Sequence, residues 1–246
     1  MLVDIHAHIF EQYYPKTLPK VIERSQKAGV KIIVNSGVSF ETNKEVLTLA
    51  KTYPILKVSL GLYPPHSAIE IQNIEKDFSF VKKHITKCIA IGEVGMDRPK
   101  NRKEVDQQKS PFTDVIRLAN KHNKPLVIHS RGAEKHVINT LEQEQAKKVV
   151  LHSYNGPEKY AKKAIELGYY FSVPPRVITD VTFQTINDLI PNKQILSETD
   201  SPYLAKHKEE TNEPKNVKQV VDYFTKQRKK DMEKQIELNY KRLLSS

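Results

Sequence analysis

The stretch PLVIHSRGAEKHVINTLEQEQAKKVVLHSYNGPEKYAKKAIELGYYFSV, residues 125–173, decides the fold. Three runs inside it, PLVIHS, KVVLHS and YYFSV, are rich in β-branched and aromatic residues and too short for helices. Between them, residues 133–145 and 157–167 repeat apolar side chains at helical spacing, and Gly168 follows AKKAIEL where a helix must stop before a strand begins. The stretch therefore reads strand, helix, strand, helix, strand, which is two consecutive βα units.

The alternation continues on both sides. Upstream lie the runs LVDIHAH, KIIVNSG, LKVSLGL and CIAIGEVG, and downstream QILSETD, making eight in all. Helical spacing recurs over residues 15–28, 40–51, 104–122 and 179–189, with Gly29 ending the first of these. With Asp4, Val34, Ser59, Gly92, Ile128, Leu151, Ser172 and Glu198 marking the runs, successive gaps are 30, 25, 33, 36, 23, 21 and 26 residues, each the length of one βα unit. Continuous apolar strands with room for crossover helices predict a parallel sheet covered on both faces, and eight of them predict closure into a (β/α)8 TIM barrel, a single domain over residues 1–246. Residues 216–244 are helical in pattern and supply the last helix plus one further segment. A doubly wound dinucleotide fold has no support, because no GxGxxG turn follows the first strand.

Composition narrows the setting. The 246 residues include 40 Lys+Arg against 29 Asp+Glu, a formal net charge of +11 that favours an anionic partner such as nucleic acid. The lone Cys88 cannot form an intramolecular disulfide, and MLVDIHAHIF carries Asp4 and two histidines where a signal peptide would be apolar. The expectation is a cytoplasmic protein with no membrane segment.

Barrel enzymes do their chemistry at the C-terminal ends of the strands. The polar residues expected there are His6 and His8 on the first strand, Glu93 on the fourth, His129 on the fifth, His152 on the sixth and Asp200 on the eighth. The period of two along a strand aims His6 and His8 to the same side. Burying four imidazoles and two carboxylates at one barrel mouth is costly unless a cation or a hydrogen-bond network holds them, so the set reads as a divalent-metal site for Zn, Mn, Fe or Mg. His84, His122 and His136 fall on helical patterns and read as solvated surface. Glu198, on the same strand face as Asp200, is a candidate to orient an imidazole.

In order along the chain, DIHAHIF (4–10), GLYPPH (61–66), IGEVGMD (91–97), PLVIHSR (125–131), VVLHSYNG (149–156), SETDSPYL (197–204) and NEP (212–214) resemble the TatD-type metal-dependent deoxyribonucleases of the amidohydrolase superfamily. The resemblance spans nearly the whole chain and implies a (β/α)8 barrel with two divalent metal ions, Zn, Mg or Mn. It implies that His6, His8 and Asp200 hold one ion, that His129 and His152 hold the other, and that Glu93 bridges them. Glu93 and Asp200 are then the catalytic pair, with Asp200 the general base on the attacking water. Arg131, Tyr63 and His66 become substrate-binding candidates, because a guanidinium grips two phosphate oxygens at once. Arg98, Lys100, Arg102, Lys103 and Arg176 extend the positive rim, and Tyr63, Tyr154 and Tyr203 offer stacking faces for single-stranded bases.

The implied activity is 3′-5′ exonucleolytic hydrolysis of DNA. The alternative is metal-dependent amide or ester hydrolysis, including deacylation of aminoacyl-tRNA. Departures from the family pattern fall on the rim: Tyr63 where a histidine is usual, Gly132 in place of the acid after HSR, and no arginine before NEP. The six metal positions are all present.

Overall fold

All eight apolar runs form strands of one parallel sheet in the order β1 to β8: β1 (Leu2–Ala7), β2 (Val30–Ser36), β3 (Leu56–Leu60), β4 (Ala90–Gly95), β5 (Leu126–His129), β6 (Val149–His152), β7 (Tyr170–Val173) and β8 (Ile195–Ser197). The structure is a computed structural model and describes residues 1–65 and 68–245. Helices α1 (Leu18–Lys27), α2 (Phe40–Thr52), α3 (Ala68–His84), α4 (Arg102–His122), α5 (Glu134–Gln143), α6 (Glu158–Glu166) and α7 (Val181–Leu189) are the crossovers. The helical reading of residues 216–244 resolves into α8 (Val217–Arg228) and α9 (Met232–Leu244). Helix α3 is the one crossover missing from the expectations above, although Ile71, Ile74, Phe78 and Val81 have the spacing of a helix face. Gly29 and Gly168 sit at φ +93° and +80°, left-handed positions that let α1 and α6 turn straight into β2 and β7.

The sheet is nearly closed, and its seam between β8 and β1 depends on polar side chains. Ser197 Oγ donates to Val3 O (2.6 Å), Asp200 N to His6 O (2.9 Å) and His8 N to Ser201 O (2.7 Å). Asp4, fully buried, accepts from Thr199 N (2.9 Å) and Thr199 Oγ1 (2.5 Å). These bonds fasten the segment after β8 to β1, and that segment carries Asp200. Asp4→Ala leaves the Thr199 N–H, the Thr199 hydroxyl and the His6 N–H, which also reaches Asp4 Oδ1 (3.4 Å), without this acceptor, so it is expected to cost about 2–3 kcal/mol and to lower the Tm by roughly 5–10 °C. Differential scanning calorimetry of the variant checks this, and an unchanged Tm would remove the seam from the account.

Buried amides pin the mouth loops to the barrel. Asn35 accepts from Ile9 N (2.7 Å) and donates to Ile9 O (2.9 Å), and Asn43 does the same for Gly61 at 2.9 and 2.8 Å. Gln108 of α4 grips both backbone groups of Asp97, at 2.8 and 3.1 Å. Asn212 donates to Thr199 O (2.7 Å) and Tyr203 O (2.8 Å), while its neighbour Glu213 takes a two-pronged bond from Arg24. The NEP motif thus anchors the loop after β8. At the other end of the barrel, Asn239 of α9 donates to Asn192 O and Ile195 O, closing over the start of β8. Among the described residues no helix is long and apolar enough to cross a membrane.

Candidate metal centre

His6 on β1, Glu93 on β4, His129 on β5 and His152 on β6 meet at the barrel mouth with His8, one residue past the end of β1 and not on the strand as expected, and with Asp200; each is at most 6 % exposed. His6 and His8 do point the same way: their Nε2 atoms lie 3.6 and 3.3 Å from Glu93 Oε2 and 3.4 and 3.5 Å from Asp200 Oδ1. On the other side of Glu93, Oε1 lies 2.6 Å from His129 Nδ1 and 3.0 Å from His152 Nε2. Three overlapping ligand groups result: His6, His8 and Glu93; His6, His152 and Asp200; Glu93, His129 and His152. Glu93 therefore lies between the two halves of the cluster.

Asp200 is not on the eighth strand. Strand β8 ends at Ser197, and Asp200 stands three residues on, with φ +55°, a left-handed turn that aims its carboxylate back over β1. The signal for this turn is in the sequence: Asp200, Ser201 and Pro202 are turn residues that end a strand.

In the cluster the two carboxylates are held ionised by the imidazoles around them. Burial opposes the ionisation of Glu93, but the charge on His152 and hydrogen bonds from His129, His152 and His8 reverse this and hold the carboxyl well below its usual range. Burial likewise opposes ionised Asp200, and the His6 and His8 imidazoles that face its Oδ1 outweigh it. Burial lowers His8, yet the Asp200 and Glu93 carboxylates push it up to about 10. His6 moves the other way, lowered by burial and by the neighbouring charge of His152. A neutral imidazole with Nε2 buried and without a hydrogen-bond partner, beside two ionised carboxylates, is a donor set that fits a divalent cation.

The outer nitrogens are held by partners that the sequence does not single out. His8 Nδ1–H donates to Ser36 O (3.0 Å) and His6 Nδ1 meets Ser36 Oγ (3.0 Å), so the last residue of β2 orients both rings. His129 Nε2 lies 3.1 Å from Asp97 Oδ2. The carboxyl of Asp97 is opposed by burial, but the His129 and Tyr63 bonds bring it down to about 2. Glu198, expected to orient an imidazole, is 3.8 Å from His152 Nδ1, beyond hydrogen-bond reach; its oxygens instead accept from Ser153 and Ser172.

A cavity of ≈ 470 Å³ opens over this cluster, walled by Tyr13, Val38, Tyr63, Arg131, Tyr203 and Leu204. Arg131 lies on its exposed rim. Tyr63 Oη donates to Asp97 Oδ2 (2.7 Å) and so faces the cluster as well as the cavity. Tyr203 is 49 % exposed and donates from its hydroxyl to that of Tyr13 (3.0 Å). Tyr154, expected as a stacking face, is 4 % exposed, donates to Pro157 O (2.8 Å) and packs edge-on against Phe171, which makes it a core residue. Of the other basic residues expected on the rim, Arg98, Lys100, Arg102, Lys103 and Arg176, none lines the cavity. His66 lies outside the described residues.

Comparison with known proteins adds sequence and fold relatives. The family model described as "TatD related DNase" matches residues 3–245. An uncharacterized metal-dependent hydrolase of Methanocaldococcus jannaschii is 33% identical over 240 residues, covering 97% of this chain and 94% of the relative. The human deoxyribonuclease TATDN3 is 28% identical over 249 residues, covering 96% of this chain and 91% of its own. Among solved structures, a TatD homologue from Escherichia coli superposes with a TM-score of 0.83 at 23% identity, over 99% of this chain and 97% of that one, and shares the barrel.

Proposed function

The chain belongs to the TatD-related DNase family of metal-dependent hydrolases, and on that premise we propose that it hydrolyses phosphodiester bonds of DNA, shortening single-stranded or frayed ends in the 3′ to 5′ direction. The observation that carries this reading is the meeting of four imidazoles and two ionised carboxylates beneath a cavity with a guanidinium on its rim. In this reading His6, His8 and Asp200 hold one divalent ion, His129 and His152 the other, and Glu93 is shared. Zn²⁺, Mn²⁺ or Mg²⁺ bound there would ease deprotonation of the attacking water near neutral pH and draw off charge developing on the phosphoryl oxygens. Asp200, ionised and buried against His6 and His8, takes the proton of that water. Arg131 grips two phosphate oxygens, and the exposed ring of Tyr203 offers a stacking face to the terminal base. A cavity of ≈ 470 Å³ accepts a strand end more readily than the middle of a duplex.

A second reading, hydrolysis of an amide or ester, draws support from the same wall, where Tyr13, Val38, Tyr63, Tyr203 and Leu204 surround the single guanidinium of Arg131. Salt and substitution separate the two. If DNA is the substrate, kcat/KM for a single-stranded oligonucleotide falls steeply with salt, and Arg131→Ala raises KM about 10–100-fold with a shallower salt slope. A flat salt response, an unmoved KM and turnover of neutral esters would select the second reading.

A further inference from the structure

We infer that Asp97 is a positioning residue for His129: it accepts the Nε2 proton and thereby turns Nδ1 toward Glu93 and His152, with Tyr63 holding the carboxylate in place. This rests on the metal-centre reading above.

His129 is presented differently from the other imidazoles. His6, His8 and His152 approach Glu93 through Nε2, at 3.6, 3.3 and 3.0 Å. His129 approaches through Nδ1, 2.6 Å from Glu93 Oε1 and 3.3 Å from His152 Nε2, so its Nε2 points away from the cluster. A ring set that way needs an acceptor behind it, or its two nitrogens compete for the inner position. Asp97 supplies one at 3.1 Å. Asp97 and Glu93 both only accept, so when a cation takes the Nδ1 lone pair in place of a proton shared with Glu93, the one ring proton sits on Nε2 and goes to Asp97.

Asp97 is itself held from two directions. Its backbone N–H and C=O are both gripped by Gln108, which fixes where the residue stands without using its side chain. Its Oδ2, the oxygen that faces His129, also accepts from Tyr63 Oη (2.7 Å), and the residue is 8 % exposed. Tyr63 thus has a task inside the protein as well as a place on the cavity wall. A tyrosine here brings no charge to a substrate phosphate, but it brings a donor that points the Asp97 carboxylate at His129.

Two measurements on the 246-residue chain, stripped with EDTA, test this. The first is calorimetric titration with Mn²⁺. Asp97→Ala is expected to weaken one of the bound ions about 10–100-fold, and Tyr63→Phe to weaken it less. Asp97→Asn, whose amide oxygen still accepts but carries no charge, is expected to fall between wild type and Ala. The second is a long-range nitrogen–proton spectrum of the same protein after Zn²⁺ is returned. It is expected to show the Nε2–H tautomer for His129 in wild type and its loss in Asp97→Ala. If Asp97 only packs, its variants melt earlier while Mn²⁺ affinity and tautomer stay as in wild type, and that overturns the inference. If wild type takes up no ion, the metal-centre reading fails, and the inference that rests on it is overturned with it.

Discussion

Asp200→Asn is expected to lower the turnover of a single-stranded oligonucleotide about 10³–10⁴-fold, measured as kcat at saturating Mn²⁺. The substitution keeps the shape of the side chain and the backbone bond from Asp200 N to His6 O (2.9 Å), so the turn after β8 is retained. The loss is the carboxylate itself, whose Oδ1 lies 3.4 and 3.5 Å from the Nε2 atoms of His6 and His8. An amide cannot take a proton from the attacking water, and it binds a divalent ion more weakly. Arg131 and Tyr203 are untouched, so binding of a fluorescent strand end, followed by anisotropy, should stay within a few-fold of wild type. Turnover near the wild-type value would remove Asp200 from the role of base.

The second large effect concerns Glu93. Its two oxygens serve four imidazoles: Oε2 is 3.6 and 3.3 Å from His6 and His8, and Oε1 is 2.6 and 3.0 Å from His129 and His152. Glu93→Gln replaces this shared anion with a neutral amide in the same space. The metal content by mass spectrometry is expected to fall from about two ions per chain to one or fewer. Stability reports the same loss, because an ion at about 1,000 times its Kd adds about 4 kcal/mol to the folded state, roughly 10 °C in Tm for a chain of this size. Wild type should show that rise when Zn²⁺ or Mn²⁺ is returned after EDTA, and Glu93→Gln should show less than a third of it. Equal rises in both proteins would mean that Glu93 does not bind the ions.

The strands were legible because each is a short apolar run buried on both faces, a pattern that no surface element mimics. The imidazoles were legible because His129 and His152 end their strands and the period of two aims His6 and His8 alike. What the sequence left out depends on register between neighbouring strands. Ser36 orients His6 and His8 from β2, and Asp97 orients His129 from beyond β4; neither residue type announces such a partner. The same reason explains Glu198, a candidate to orient an imidazole that lies just past β8 and spends its oxygens on Ser153 and Ser172. Tyr154 shows the converse, an aromatic that stands near the mouth in sequence and is buried in space against Phe171 of β7, with its hydroxyl on Pro157 O.

The expected nuclease activity is tested most directly by one time course. The metal-loaded protein is incubated with a 5′-labelled single-stranded oligonucleotide, beside an EDTA-treated sample and Asp200→Asn, and the length ladder is followed. Stepwise shortening of the labelled strand that disappears in both controls is the predicted result. An unchanged ladder from a protein that carries its full complement of metal would contradict the nuclease reading and leave the chemistry to an amide or ester.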